Sequence, residues 1–295
     1  GGGFVDFKSR GYNEELLALY DLTELASALP PLKYSADIAG YVTKASAEKT
    51  GLLEGTPVAA GMFDIDACGI ASGLATNEDL CLIAGTWSIN EYISDAPVNG
   101  EATTRNSFFC VPGKFLVEES SPTSAGNLEW FIRTQMKEEK KHQKNDGKSI
   151  YDLTNAWVAE SDPSKNNVIY LPFLNGSSTE NHASGVFYGL SEATTKRDMV
   201  AAVYEGVVFS HRRHVDRLLK HRSAPKKIRL SGGAANSSVW TQIFADVMQI
   251  PIETIADKEL GALGAAMAAG TAAGVYESLP DAAHKVVSAA SFVEP

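Results

Sequence analysis

Three short stretches of this chain combine residue types and spacings that can do chemistry. Gly61-Met62-Phe63-Asp64-Ile65-Asp66-Ala67-Cys68-Gly69 sets two carboxylates among small and apolar neighbours, where an unpaired charge is costly to desolvate unless it has a use. One of the two is a candidate general base, and the plainer reading is a helix N-cap, a position that favours Asp. Ile83-Ala84-Gly85-Thr86-Trp87-Ser88 lies between two apolar runs. As a hairpin turn it offers backbone amides and two hydroxyls to a phosphate without a cation, or it is only a turn. Leu230-Ser231-Gly232-Gly233-Ala234-Ala235-Asn236 joins a strand pattern to a helix pattern. A glycine pair there lets the backbone approach a ligand and leaves helix-start amides free for a negative group; the plain alternative is a tight turn. Ala245-Asp246 and the downstream Gly-Ala-Leu-Gly-Ala-Ala run from Gly261 favour the nucleotide reading.

The elements that must position these stretches fall into two parts. Up to residue 57 the pattern predicts a helix over Asn13–Tyr20, an apolar loop at Leu29-Pro30-Pro31-Leu32 and a short helix over Thr43–Thr50, without the strands of a complete domain. From Val58 the texture turns to glycine and small residues, predicting a buried strand that runs into a tightly packed helix, and a domain boundary is placed there. Strands are expected at Leu80–Ala84, Ile89–Ile93 and Phe108–Val117, antiparallel where Gly, Pro and Asn punctuate them. Over Thr123–Lys137 the apolar residues Leu128, Phe131, Ile132 and Met136 share one helical face. Lys137–Lys148 is a mixed charge run with little to bury, read as solvated. Beyond it, strands at Val168–Pro172, Lys227–Leu230 and Ile252–Ile255 alternate with helices at Lys196–His221, Val239–Gln249 and Gly261–Val275, the pattern of a sheet covered by helices.

Composition narrows the function classes. The chain has 295 residues, 44% hydrophobic and 21% charged, enough to bury a core. Its net charge of -10 argues against nucleic-acid partners, which demand a basic surface, and means that a nucleotide site must use local donors. No apolar run reaches a membrane-spanning length and the start lacks the apolar centre of a signal peptide, so no membrane partner and a cytoplasmic location are expected. The three cysteines, Cys68, Cys81 and Cys110, read as buried thiols. His211, His214 and His221 share a long helix with several arginines; a metal pair is one reading and a solvated basic face the preferred one, so no metal ligands are assigned.

Several motifs in one order carry a resemblance: GTPVAAGMFDIDACGIASGL, IAGTWS, YEGVVF at Tyr204–Phe209, LSGGAANSSVWTQIFADVMQIPI and ELGALGAAMAAG. Over nearly its whole length the chain resembles the FGGY carbohydrate kinases. The resemblance implies an α/β, actin-like and ribonuclease-H-like fold with a mixed sheet flanked by helices, in two domains with the active site between them. It implies ATP and Mg2+ as cofactors, with the metal bridging the β and γ phosphates, and a small sugar as substrate. Asp64 would be the base that receives the sugar hydroxyl proton, with Asp66 beside it against the substrate. Gly85, Thr86 and Ser88 would form a phosphate loop, and Gly232, Gly233 and Asn236 would lie against adenosine, while Trp87 and His182 receive no role.

The departures from the family pattern are also informative. The family's first Asp-x-Gly-Thr phosphate loop does not occur before Asp64, so residues 1–57 read as the tail of the N-terminal domain and 58–295 as the C-terminal, ATP-binding domain. Relatives usually continue past Pro295, and the expectation is a fragment of a longer enzyme, catalytically poor alone. Asn175-Gly176-Ser177 stands where many relatives have Gly-x-Arg-x-Pro, and this departure, with Asp64-Ile65-Asp66 and Gly85-Thr86-Trp87-Ser88, resembles the branch that acts on a pentulose such as L-xylulose. Two rival readings remain at this point: an actin-like ATPase, and a non-catalytic nucleotide-binding or association piece, for instance in a homodimer.

Overall fold

The computed structural model describes residues 3–100 and 102–295. Helix α1 (Glu14–Leu19) starts where the Asn13 side chain accepts the Leu16 N–H at 3.0 Å. After β1 (Ile38–Tyr41), helix α2 (Lys44–Thr50) runs from a Thr43 cap to Gly51, which stops it at φ 79°. Strand β2 (Pro57–Ala59) pairs antiparallel with β1. This corrects the expectation of a buried strand at Val58. The ribbon lies apart from the main sheet and leaves Val58 exposed, because a short apolar run does not itself say which neighbour it will find.

Helix α3 (Asp64–Ala71) leads into β3 (Cys81–Ala84), β4 (Ser88–Ser94), β5 (Arg105–Phe108) and β6 (Phe115–Ser121), which pair antiparallel in the order β3-β4-β6-β5. The run Phe108–Val117 therefore divides between two strands, folded back through a turn that places Gly113 at φ 85°. Helices α4 (Gly126–Gln135), α5 (Lys137–Asn145) and α6 (Ile150–Ala159) follow; α5 is the charge run and buries no residue. Strands β7 (Ile169–Leu171) and β8 (Val186–Tyr188) form a separate hairpin, so the expected strand at Val168–Pro172 exists but does not join the central sheet. The long helix α7 (Lys196–Leu218), β9 (Ile228–Ser231), α8 (Ser238–Met248), β10 (Ile252–Ile255), α9 (Leu260–Ala272), α10 (Leu279–Val286) and β11 (Ala289–Val293) complete the chain.

Among the described residues the central sheet has the order β11-β10-β9-β3-β4-β6-β5. Strands β10, β9 and β3 run parallel and the outer pairings are antiparallel, so the sheet is mixed. Side chains alternate between its faces, and each face is covered. Leu82, Tyr92, Val117 and Leu230 pack against Val203, Val207, Phe131 and Phe244 beneath α4, α7 and α8. Cys81, Ile93, Leu116 and Ile255 pack on the other face against Ile70, Leu260, Met267 and Leu279 from α3, α9 and α10. Helices α3 and α9 meet closely: a Cβ on Gly264 would lie 2.2 Å from the Ala67 carbonyl oxygen, so only glycine permits the contact. Cys81 and Cys110 are buried thiols as expected, whereas Cys68 is partly exposed.

Candidate active site

Parallel strands β3 and β9 lie side by side, with Ile83 opposite Ser231, and both leave the sheet at the same end through glycine. Gly232 has φ 86° and ψ -172°, a conformation almost closed to other residues. A Cβ there would also stand 2.7 Å from the carbonyl carbon and oxygen of Ala84. Both facts follow from one arrangement: the β9 exit crosses directly over the Ala84–Gly85 peptide. The Gly126 N–H, at the start of α4, donates to the Gly85 oxygen at 3.3 Å, which brings a third segment to the same place.

These segments enclose a cleft of about 510 Å3 lined by Gly85, Thr86, Gly126, Gly233 and Asn236 on one side and Tyr151, Asn155, Tyr204 and Trp240 on the other. The aromatic wall is built from α7 and α8. Tyr204 and Trp240 stack with centroids 4.2 Å apart, and the Trp240 indole N–H donates to the Tyr204 carbonyl at 3.1 Å. Their polar neighbours converge on α6, where the Asn155 carbonyl oxygen accepts from the Tyr204 hydroxyl at 2.9 Å and from Ser237 Oγ at 2.7 Å. Burial pushes the Tyr204 phenol up to about 12, which keeps it a hydrogen-bonding group at neutral pH. Tyr151 donates to Glu129 on α4. An apolar aromatic wall facing amide-rich turns can take a planar base on one side and a polyphosphate on the other.

Four expected site residues, Gly85, Thr86, Gly233 and Asn236, therefore line one cleft, with Gly232 packed behind them. Ser88 does not join them. It is fully buried at the start of β4, with its hydroxyl 3.1 Å from Nδ1 of His211 rather than turned to the cleft. Strand alternation decides this, because Ser88 is the first residue whose side chain falls on the α7 face.

The two aspartates also part company. Both sit in the first turn of α3, but Phe63 holds the N-cap position, so neither caps the helix. Asp64 is exposed at the helix start and accepts its neighbour Ile65 N–H at 2.9 Å, which corrects the expectation of a desolvated pair. Asp66 points the other way and is buried, with one carboxylate oxygen unpartnered; burial raises it to about 7. It lines a second cavity of about 280 Å3 with Arg10, Tyr34, Asp37, Cys110 and Lys114. Asp64 lines neither cavity. Glu91, fully buried on β4, has both oxygens unpartnered, and burial followed by the nearby Glu118 charge drives its carboxyl well above the usual range.

The expected solvated basic face of α7 is not what its histidines form. His211 and His214 are buried against the sheet. His211 contacts Asn90 and Ser124, and His214 Nδ1 lies 3.2 Å from Glu119. Burial alone would raise Glu119, but hydrogen bonds from His214, Thr104 and Thr103 bring it down to about 2. The signal was in the spacing: Tyr204, Val208, His211, Val215 and Leu218 recur at intervals of three and four, which sets the histidine on the apolar face. Helix α6, which supplies Tyr151 and Asn155, had a signal of its own in the Ser149–Asp152 capping box.

The model of the FGGY family of carbohydrate kinases, C-terminal domain, matches residues 80–273, and the N-terminal domain model matches residues 1–70. The chain is 36% identical over 262 residues to the L-xylulose/3-keto-L-gulonate kinase of Escherichia coli, covering 88% of this chain and 50% of that protein. It is 35% identical over 282 residues to the probable L-xylulose kinase of Haemophilus influenzae, covering 93% and 54%. The chain thus spans about half the length of these relatives. A crystal structure of xylulose kinase from Rhodospirillum rubrum superposes on 100% of this chain and 58% of that one, with a TM-score of 0.84 and 28% identity. A ligand-bound xylulose kinase from Lactobacillus acidophilus superposes at 0.88, with 21% identity and the same coverage. The mixed sheet flanked by helices is therefore the actin-like fold that the motifs implied. With family models matched along both parts of the sequence and the glycine-built cleft where β3 and β9 end, the chain belongs to the FGGY family of carbohydrate kinases.

Proposed function

We propose that the chain supplies the nucleotide cleft and the general base of a sugar kinase that moves the terminal phosphoryl group of ATP to a hydroxyl of a pentulose, L-xylulose being the candidate its relatives suggest. The observation that carries this reading is the single cleft shared by Gly85, Thr86, Gly233 and Asn236 and backed by the Tyr204–Trp240 pair. The base would lie against the aromatic wall with its ribose near Gly233 and Asn236, and the phosphates would meet the amides and hydroxyl of Gly85–Thr86. Asp64, exposed at the start of α3, would accept the sugar hydroxyl proton as that oxygen bonds to the γ phosphorus; the bond from phosphorus to the β–γ bridging oxygen breaks and ADP leaves.

Among the described residues no group of three or more His, Cys, Asp or Glu could hold a metal ion. A Mg2+ ion brought by the nucleotide would find the Thr86 hydroxyl among the oxygens of the cleft lining. The ion would neutralise charge on the transferring group.

Residues 1–57 are proposed as the tail of an N-terminal domain and 58–295 as the ATP-binding domain. Leu19, Tyr20, Leu53 and Phe63 are exposed apolar residues on or beside the first part, which supports docking of further protein there, whether the rest of that domain or a second copy. Light scattering separates a homodimer from a monomer. No helix among the described residues is long and apolar enough to cross a membrane, and a cytoplasmic location is proposed with the sugar substrate.

The test is ADP release by the complete gene product given ATP, Mg2+ and a panel of ketopentoses and polyols, beside Asp64→Asn. Turnover on one ketopentose that falls by about a thousandfold or more in the variant supports the reading. Hydrolysis that ignores the sugar, or full activity in Asp64→Asn, refutes it.

A further inference from the structure

The cleft's two phosphate-side segments have little of their own to hold them. The tip of the β3–β4 turn is exposed at Trp87, and its backbone bonds are Gly85 N–H to the Trp87 oxygen at 3.2 Å and the bond from Gly126. Yet both segments end on one buried side chain. His211 Nδ1 lies 2.7 Å from Asn90 Oδ1 and 3.1 Å from Ser88 Oγ, at the exit of the turn. Its Nε2 lies 2.8 Å from Ser124 Oγ, two residues before Gly126. The orientation of the network is fixed from outside. Asn90 Nδ2 donates to the Glu119 backbone oxygen at 2.9 Å, so Asn90 Oδ1 must face the imidazole and place the proton on Nδ1. Nε2 is then free to accept from Ser124. All four groups are buried, so no water replaces a lost partner.

We propose that His211 is a positioning residue: a neutral imidazole that bridges Ser88–Asn90 to Ser124 and so holds the Gly85–Trp87 turn and the start of α4 at the spacing the nucleotide phosphates require. The proposal rests on the kinase reading of the cleft. A neutral ring suits this role because one nitrogen donates while the other accepts, which neither an imidazolium nor an aliphatic side chain can do. Burial, with the nearby His214 charge, lowers His211 to about 3 and keeps the ring in that form. The same helix carries Tyr204 two turns earlier, so α7 fixes the aromatic wall and the phosphate side together.

The experiment uses the 295-residue chain with His211→Phe, His211→Gln and Ser124→Ala. Dissociation constants for ATP, ADP and adenosine are measured by calorimetry, and amide exchange is followed over residues 85–87 and 124–126. His211→Phe is expected to weaken ATP and ADP by about tenfold but adenosine by less than about twofold, because the aromatic wall is untouched. His211→Gln, with both a donor and an acceptor, restores most of the loss. Ser124→Ala, which removes one arm only, shows the same split at about threefold and covers the case in which His211→Phe does not fold. Faster exchange at 85–87 in the variants supports the pinning itself. Equal weakening of ATP and adenosine, or unchanged exchange and unchanged ATP binding, overturns the proposal. Faster exchange in variants of a chain that binds no ATP upholds the pinning and overturns its phosphate role together with the nucleotide reading.

Discussion

Gly232→Ala and Gly233→Ala are neighbouring substitutions for which the structure requires opposite outcomes. At Gly232 the backbone sits at φ 86°, ψ -172°, which costs a non-glycine residue about 1–3 kcal/mol. The new methyl also falls 2.7 Å from Ala84 C and O and 3.0 Å from Gly85 N, all of them backbone atoms that cannot swing aside. Together these amount to about 3 kcal/mol or more, a fall in Tm of roughly 5–10 °C for a chain of this size. Since the strained atoms belong to the β3 exit, nucleotide binding fails with stability. At Gly233 an added Cβ meets only the Ala84 oxygen, at 4.0 Å, and no positive φ stands against it. The loss of unfolded-chain entropy then leaves stability unchanged or raised by up to about 1 kcal/mol, while the methyl protrudes into the cleft and weakens ATP. Thermal unfolding followed by circular dichroism, with calorimetric ATP titration, separates the two. Equal Tm losses in both variants, or an undisturbed Gly232→Ala, would refute the account of the crossing.

Asn155→Ala leaves Ser237 Oγ and the Tyr204 hydroxyl without a shared acceptor, so ATP and adenosine should weaken alike, by about tenfold, in the same calorimetric titration. Ser149→Ala removes the capping box of α6 and should cost about 1 kcal/mol in urea unfolding, with a severalfold rise in the ATP dissociation constant because Tyr151 and Asn155 ride on that helix. Asp66 gives a pH test with a definite sign. Its folded carboxyl is raised from 3.8 to about 7, so between those values the folded chain holds a proton that the unfolded chain has released, and stability falls as pH rises. The loss is at most about 4 kcal/mol across the window; Asp66→Asn should flatten urea-unfolding free energy between about pH 4 and 7, leaving the slope contributed by Glu91, and identical slopes in the two proteins would sink the idea.

What could be read in advance follows from how local each signal is. The strands β3, β4, β9 and β10 and the helices α7, α8 and α9 lie within a residue or two of their expected positions except at the C-terminal ends of α7 and α9, because alternation, helical spacing and capping residues act within a few positions. Gly85, Thr86, Gly233 and Asn236 line one cleft because both glycine turns leave neighbouring parallel strands at the same end. The misses needed partners distant in sequence. Val58 and Val168–Pro172 have the composition of core strands, but only pairing with residues 38–41 and 186–188 reveals that each forms a separate hairpin. Ser88 and Thr86 look equivalent in the motif, but Thr86 lies in the turn and lines the cleft whereas Ser88 is already the first residue of β4 and faces His211, and where the turn gives way to strand is not marked in the motif. Asp64 and Asp66 are likewise two steps apart on a helix, about 200° around its axis, so they cannot serve one site face together.

The way the cleft is built also answers how a chain of net charge -10 can be expected to hold a triphosphate. No Lys or Arg is among the cleft's lining residues, and its one acidic member, Glu129, accepts a hydrogen bond from Tyr151. Recognition of negative charge must then come from main-chain amides where strands and helices end, together with a cation the nucleotide brings. Ligands of open α/β sheets sit at the carboxyl ends of parallel strands because amides and helix starts converge there. In this sheet β3 and β9 are such a pair, and their exits can converge only if the crossing residue has no side chain. Gly232 is that residue, and its closeness to Ala84 brings the Gly85–Thr86 turn and the Gly233–Asn236 segment to one cleft. A lysine at this point would supply charge but hold the strands apart; glycine supplies none and lets the two strand exits approach.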